Sequence, residues 1–199
     1  MIMSQSAMAT LAGNGSGRPS PAIGEDSTLS RAERRHVAGL MRVNHSGEVC
    51  AQALYWGQSL MAREETVREK LLAAAKEEQD HLAWCAERLG ELSARPSLLN
   101  FIWFSGSLIT GIVISARGDA WSMAFIEETE RQVVKHLERH LERLPVHDER
   151  SRAILAVMRT DEARHGAEAR RAGAATLPST LPILMAAQSR VMTTLSYWL

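Results

Sequence analysis

The chain has almost no cysteine, no excess of charge of either sign, and no apolar run long enough to dominate it. Two cysteines, Cys50 and Cys85, in 199 residues exclude a disulfide framework and suit a reducing compartment. Lys and Arg together number 23, as do Asp and Glu, so the formal net charge is zero. That balance argues against nucleic acid as a partner and against a purely electrostatic membrane anchor. Gly and Pro are scarce outside two short stretches, and no segment of useful length alternates with the period of a strand. With 45% hydrophobic residues, what is left is a mostly helical globular protein, long enough for one domain with a substantial core. Residues 1–27 lack the apolar core of a secretory signal and are rich in Gly, Ser, Ala and Pro. They read as a disordered tail ahead of a folded domain at 28–199.

What is present is helical periodicity with clear punctuation. Ser30-Arg31-Ala32-Glu33 fits a capping box that starts a first helix over about 31–62, with Gly47 as a point of interruption. A second helix covers about 65–89 and stops at Gly90. A third runs over about 119–144 to Pro145, and a fourth over about 149–172 to Gly173. The linker Leu177-Pro178-Ser179-Thr180-Leu181-Pro182 leads to a C-terminal apolar helix at about 183–198.

The chemistry lies in a duplicated pattern. Glu78-Gln79-Asp80-His81 and Glu162-Ala163-Arg164-His165 are both Glu-x-x-His, whose two ligand types share one helix face. Glu48 stands 30 residues before the first motif and Glu130 stands 32 before the second. A lone glutamate from each of two helices, plus Glu-x-x-His from two others, is the ligand set of a di-iron or di-manganese carboxylate four-helix bundle. Each of these residues lies within an apolar stripe. Leu71, Ala75, Glu78, Leu82 and Cys85 form one, and Ile154, Leu155, Met158, Glu162 and His165 another. A buried carboxylate needs a counter-charge or a proton, and two divalent cations match four carboxylates. Glu127 lies one turn before Glu130 and competes for its role, although Glu130 is better centred among apolar neighbours. Asp161 is a candidate partner for a histidine across the bundle, since ligating imidazoles usually donate their second N–H. Cys50 and Cys85 read as small core residues, Tyr55 and Gln58 as facing a cavity, His45, His136 and His140 as supporting or solvent histidines, and His36 and His147 as surface residues.

One further segment departs from the amphipathic pattern. Leu98 to Ala116 carries no charge and includes Phe101, Trp103 and Phe104. It is near the lower limit for a bilayer span, but Asn100, Thr110, three serines and two glycines dilute it. The favoured reading is a crossover helix between the two halves of the bundle that also faces a membrane or lines an apolar entrance, with its aromatics embedded.

These residues resemble the demethoxyubiquinone hydroxylase family. The resemblance rests on Arg42-Val43-Asn44-His45-Ser46-Gly47-Glu48, the Glu78/His81 motif, Glu130 followed by His136, and Asp161-Glu162-Ala163-Arg164-His165. It covers about 30–199. Departures from eukaryotic relatives are Val49-Cys50 after the first glutamate and Leu137 after His136. The resemblance implies an all-α, ferritin-like four-helix bundle with an apolar crossover helix and an extra C-terminal helix. It also implies two iron ions per chain, with Glu48 and His81 on one, Glu130 and His165 on the other, and Glu78 and Glu162 bridging. It selects Glu130 over Glu127.

The activity so implied is O2-dependent hydroxylation of a polyprenyl methoxy-methyl-benzoquinol in ubiquinone biosynthesis. No catalytic residue beyond the ligands and no organic cofactor site is expected. Neither a Gly-rich dinucleotide fingerprint nor an iron–sulfur cysteine cluster is present, so electrons come from outside. The partners implied are a polyprenyl quinol, O2, a membrane surface, and a second copy of the chain or other quinone-biosynthesis proteins. The location implied is the cytoplasmic face of a bacterial inner membrane, or the mitochondrial inner membrane in a eukaryote. The competing reading is a ferritin-like protein for iron storage or peroxide detoxification.

Overall fold

A computed structural model describes residues 17–22 and 28–199. Among them are the helices α1 (Arg31–Met61), α2 (Glu65–Glu91), α3 (Asn100–Ser115), α4 (Asp119–Arg143), α5 (Glu149–Arg171) and α6 (Thr180–Trp198), and no strand. The local signals act as expected. Ser30 Oγ accepts from Glu33 N at 3.3 Å while Glu33 Oε2 accepts from Ser30 N at 2.9 Å. Asp148 caps α5 by accepting from Ser151 N. Gly47 does not interrupt α1, which continues through it.

Helices α1 and α2 form one antiparallel hairpin and α4 and α5 the other, because each pair is joined by a turn of a few residues. Asp119 locks the first turn by accepting from the backbone N–H groups of Arg63 and Glu64. At the far end the buried Arg88 of α2 reaches Asp148 and Ser151 at the start of α5, tying the hairpins together. Apolar side chains collect in two main clusters along the bundle. One holds Leu40, Met41, Cys85, Leu137, Leu155 and Met158. The other holds Tyr55, Leu71, Ala75, Met123, Ile126 and Ala169.

Helix α3 crosses between the hairpins and lies directly on α1. The contact needs two glycines. A Cβ on Gly57 would lie 2.3 Å from the Leu108 carbonyl oxygen, and one on Gly111 would lie 2.4 Å from that of Leu54. Asn100 at the start of α3 accepts from Ser46 and faces His45. Helix α6 returns across the open side of α1, α3 and α4. It is pinned by Arg42 to the Tyr197 carbonyl, by His36 to the Tyr197 hydroxyl, and by Trp103 to Ser196. His36, expected at the surface, is therefore half-buried as a tether for α6.

Two expectations need correction. Of the three aromatics placed at an outer surface, only Phe101 stands there, 68% exposed. Phe104 packs inward against Val49, Ala53 and Leu82, and Trp103 turns toward α6. On a 3.6-residue helix Trp103 projects well away from Phe101 and Phe104, and Phe104, a turn further along beside Phe101, is the one that α1 and α2 cover. Of the supposed tail 1–27, residues 1–16 and 23–27 lie outside the described residues, whereas 17–22 lie against the bundle. Arg18 pairs with Asp80 and Asp161, and Ala22 packs on the first core cluster.

The glycines give opposite predictions. Gly111→Ala forces backbone against backbone and should lower stability by about 1–3 kcal/mol, the usual cost of overpacking. A Cβ on Gly47 meets nothing within 4 Å, so Gly47→Ala should raise stability by roughly 0.5–1 kcal/mol through helix propensity. Urea unfolding followed by circular dichroism checks both, and a Gly111→Ala variant as stable as the parent would refute the close α1–α3 approach.

Candidate metal centre

Between the two apolar clusters the four bundle helices converge on a polar layer. Helix α1 contributes Glu48, α2 Glu78 and His81, α4 Glu130, and α5 Glu162 and His165, and all six are buried. Their apolar neighbours along each helix exclude water and leave these side chains to satisfy one another.

The geometry centres on the two histidines. His81 Nδ1 lies 3.0 Å from Glu78 Oε2, 3.1 Å from Glu162 Oε1 and 3.6 Å from Glu48 Oε2. His165 Nδ1 lies 3.2 Å from Glu162 Oε2 and 3.3 Å from Glu78 Oε1. Glu78 and Glu162 thus each turn one oxygen to each imidazole. Ligand atoms of Glu48, Glu78, His81 and Glu162 all fall within 4.8 Å of one another. His165 joins that group through Glu78 and Glu162. Glu130 stands slightly apart, with Oε1 accepting from the Tyr55 hydroxyl at 2.7 Å. Glu127, the competitor of Glu130, pairs with Arg170 at the surface instead.

Electrostatics follow from burial and crowding. Burial and the charges of Glu78 and Glu162 push the Glu48 carboxyl well above the usual range, despite a contact with His81. Burial, with Glu162 and Glu78 nearby, does the same to Glu130. Burial alone would raise Glu78 too, but hydrogen bonds from His165 and His81 hold it well below the usual value. Burial would favour neutral imidazoles, yet the surrounding carboxylates win. Asp161, Glu162, Glu48 and Glu78 raise His81 well above its ordinary value, and Glu162 and Glu78 raise His165 to about 11. Glu48 Oε2 and Glu78 Oε1 are buried and, beyond the imidazoles at 3.6 and 3.3 Å, have no well-formed hydrogen bond among the described residues. Buried carboxylate oxygens so poorly satisfied, aimed into a layer of glutamate and histidine, fit divalent cations.

Around this layer stand groups of mixed legibility. Asp161 does receive a histidine from across the bundle, with Oδ2 3.0 Å from His81 Nε2. Neither Tyr55 nor Gln58, both expected at a cavity, lines the one beside this layer: Tyr55 bonds Glu130 and Gln58 reaches the Ser122 carbonyl. Glu77, 3.4 Å from His165 Nε2, and Arg18, bonded to Asp161, were not anticipated. Glu77 had a signal, since it precedes Glu78 as Asp161 precedes Glu162. A cavity of about 290 Å³ opens onto Glu48, Glu130 and Glu162, walled by α1, α3, α4 and α6 through residues such as Ile102, Trp103, Phe125, Met185 and Met192. Cys50 and His136 also line it.

The comparisons agree with this architecture. The family model of the ubiquinone biosynthesis protein COQ7 matches residues 35–196. The 3-demethoxyubiquinol 3-hydroxylase of Xanthomonas campestris pv. campestris (strain 8004) is 54% identical over 199 residues, covering 99% of this chain and 92% of that protein. The enzyme of the same name from Cupriavidus pinatubonensis is 57% identical over 185 residues, covering 92% and 89% respectively. Among solved structures, the dodecameric thioferritin of Bacteroides fragilis, a bacterioferritin-related protein, superposes with a TM-score of 0.54 at 18% identity, covering 69% of this chain and 84% of that one. That likeness shows a ferritin-like fold. With the sequence match spanning nearly the whole chain, the protein belongs to the ubiquinone biosynthesis protein COQ7 family.

Proposed function

We propose that this chain is a 3-demethoxyubiquinol 3-hydroxylase that holds two irons between its four bundle helices. The observation that carries the metal assignment is the way Glu78 and Glu162 each offer one oxygen toward His81 and one toward His165. These two glutamates would bridge, with Glu48 and His81 completing one site and Glu130 and His165 the other. When bound, the iron pair would supply O2 activation, with one oxygen atom entering the ring and the other leaving as water at the expense of an external two-electron reductant. The chain's own residues supply the setting. Two apolar clusters keep bulk water from the carboxylates, Asp161 fixes the His81 ring, and the Tyr55 hydroxyl orients Glu130.

The substrate reading rests on the cavity. It ends at Glu48, Glu130 and Glu162 and is walled largely by apolar side chains, which suits a quinol ring at the carboxylates and a prenyl tail leading outward. Its outer walls, α3 and α6, expose Phe101, Ile109, Val113, Leu184, Val191 and Trp198. No helix of the described residues is long and apolar enough to cross a membrane. A face of this kind fits docking on a bilayer surface, which in a bacterium would be the cytoplasmic face of the inner membrane. An iron-storage protein has no need of an apolar route to its carboxylates, so that reading is less favoured.

The functional test is complementation. A bacterium lacking its own enzyme accumulates the demethoxy quinone. This chain should restore ubiquinone and purify with about two irons, whereas Glu48→Ala and Glu162→Ala should remain helical, lose iron and fail to complement. Continued accumulation despite soluble, iron-loaded protein would sink the assignment.

A pH prediction follows from the proton affinity of the centre. His81 and His165 are both raised, His165 to about 11, and Glu48 and Glu130 are raised well above the usual carboxylate range, so all four bind protons more tightly than usual. Iron(II) must displace them, so loading releases protons and affinity rises with pH. Competition with a chelator between pH 6 and 8 should show log affinity climbing with a slope above one. A flat profile contradicts displacement of protons by metal.

Membrane binding should depend on apolar area, at about 25 cal/mol per Å² buried. Phe101→Ser with Trp198→Ser should release the protein from liposomes while sparing turnover of a short-tailed, water-soluble quinol. Binding that ignores these changes and collapses with salt would point to an electrostatic surface instead.

A further inference from the structure

The two halves of the centre repeat each other one shell beyond the ligands. Asp161 precedes Glu162, and its Oδ2 takes the Nε2 of His81 at 3.0 Å. Glu77 precedes Glu78, and its Oε2 lies 3.4 Å from the Nε2 of His165. Each carboxylate therefore reaches the histidine of the opposite half, and each meets an arginine. In the second half that arginine comes from inside the motif. Arg164, immediately before His165, bonds Glu77, and its Nη2 lies 3.4 Å from His165 Nε2.

The first half cannot do this, because the matching position before His81 is Asp80. The guanidinium arrives instead from the N-terminal segment. Arg18 Nη1 donates to Asp161 Oδ2 at 2.8 Å, its Nε to Asp80 Oδ2 at 3.3 Å, and its Nη2 lies 3.2 Å from His81 Nε2. We propose that Arg18 is a positioning residue of the metal centre, drawn in by Asp80 to fill the place that Arg164 occupies in the other half. Asp80 and Asp161 are the two acceptors that hold it.

The consequence for His81 is direct. Its Nδ1 faces the carboxylate cluster, and its Nε2 faces Asp161 Oδ2, a carboxylate oxygen that can only accept from it. Asp161 Oδ2 is shared between that imidazole and Arg18. The guanidinium fixes the carboxylate through a charge-assisted bond, and the carboxylate fixes the ring. A second grip keeps the segment in place. The Arg18 guanidinium lies over the Trp84 ring, 4.9 Å from its centre, and the Trp84 indole N–H donates to the Arg18 carbonyl at 3.1 Å. Trp84 itself packs on His81 with ring centres 5.3 Å apart. Residues 17–22 thus form a strap from α2 to α5 on the side of the centre away from the apolar cavity.

The inference rests on the reading of this layer as a metal centre, and its test separates the two. Iron-loaded full-length chain is mixed with a strong iron(II) chelator and the rate of iron release is followed, with helix melting monitored in parallel. Loss of a group that supports a ligand typically costs 10–100-fold in metal affinity. Arg18→Ala and Asp80→Asn are expected to release iron at least tenfold faster with the melt unchanged. The double variant Arg18→Ala with Asp80→Arg rebuilds the arrangement of the second half and is expected to return release to within about twofold of the parent. Should Arg18→Ala fold poorly, Asp80→Asn decides alone, because it removes only the anchor. A parent chain that loads iron and variants that release it at the parent's rate overturn the role of Arg18 and leave the metal centre standing. A parent chain that takes up no iron overturns both.

Discussion

Four glutamates and two histidines, all buried at the middle of one bundle, set the constraint to which the remaining structure answers. Like charges at this spacing in a poorly solvated layer cannot all be ionised together. Burial and the neighbouring carboxylates therefore raise the proton affinity of Glu48, Glu130 and the two imidazoles, while the imidazoles hold Glu78 between them low. Such a layer cannot hold the helices together by itself, since buried ion pairs recover little of their desolvation. The apolar clusters above and below it do that, with Leu40, Leu89 and Ile154 on one side and Leu71 and Ile126 on the other. The layer contributes a defined geometry, which the clusters hold in place.

The same division explains the two helices outside the bundle. Helix α3 can lie against α1 because Gly57 and Gly111 let backbones meet where side chains would keep them apart. That closeness brings Asn100 to Ser46 and His45, two and three residues before Glu48. Helix α6 is held at its ends, by Gln132 to the Pro182 carbonyl and by Arg42 and His36 at Tyr197. Between these tethers it presents Met185, Gln188 and Met192 to the cavity. The crossover and the C-terminal helix are therefore walls around a route to the carboxylates, with apolar residues on their outer faces.

Much of this was legible in the residues. Glutamate and histidine three apart declare a shared helix face wherever they fall, so the six residues that meet in the buried layer and the four long helices could be read directly. Ser30, Pro145 and Gly173 marked helix ends through local chemistry. The uncharged Leu98–Ala116 segment was harder, because a helix with no polar face does not announce which side turns inward. Phe101 and Phe104 were separable only once α1 and α6 were in place. Arg18 was invisible for a different reason. It lies 62 residues before Asp80, in a stretch whose Gly, Ser and Pro content resembles a tail, and no periodicity links it to the motif it serves. The pairing of Tyr55 with Glu130 likewise depends on how α1 faces α4, which spacing along one helix cannot give.

The centre also has two unlike sides, and the difference bears on how a substrate would approach it. The cavity touches Glu48 from α1, Glu130 from α4 and Glu162 from α5, and among the described residues none of its lining comes from α2. Neither His81 nor His165 lines it. The opposite side carries Asp161, Glu77, Asp80, Arg164 and Arg18, a lattice of ion pairs that fixes the outer nitrogens of both imidazoles. Side chains tied in this way resist rotation, whereas Glu48 keeps a free buried oxygen and Glu130 is held by one hydroxyl. Under the proposed function, the quinol ring therefore meets the centre on its carboxylate side, where ligands have room to shift. The histidine side stays fixed by charge, and the apolar cavity with the apolar helices around it faces the source of the substrate.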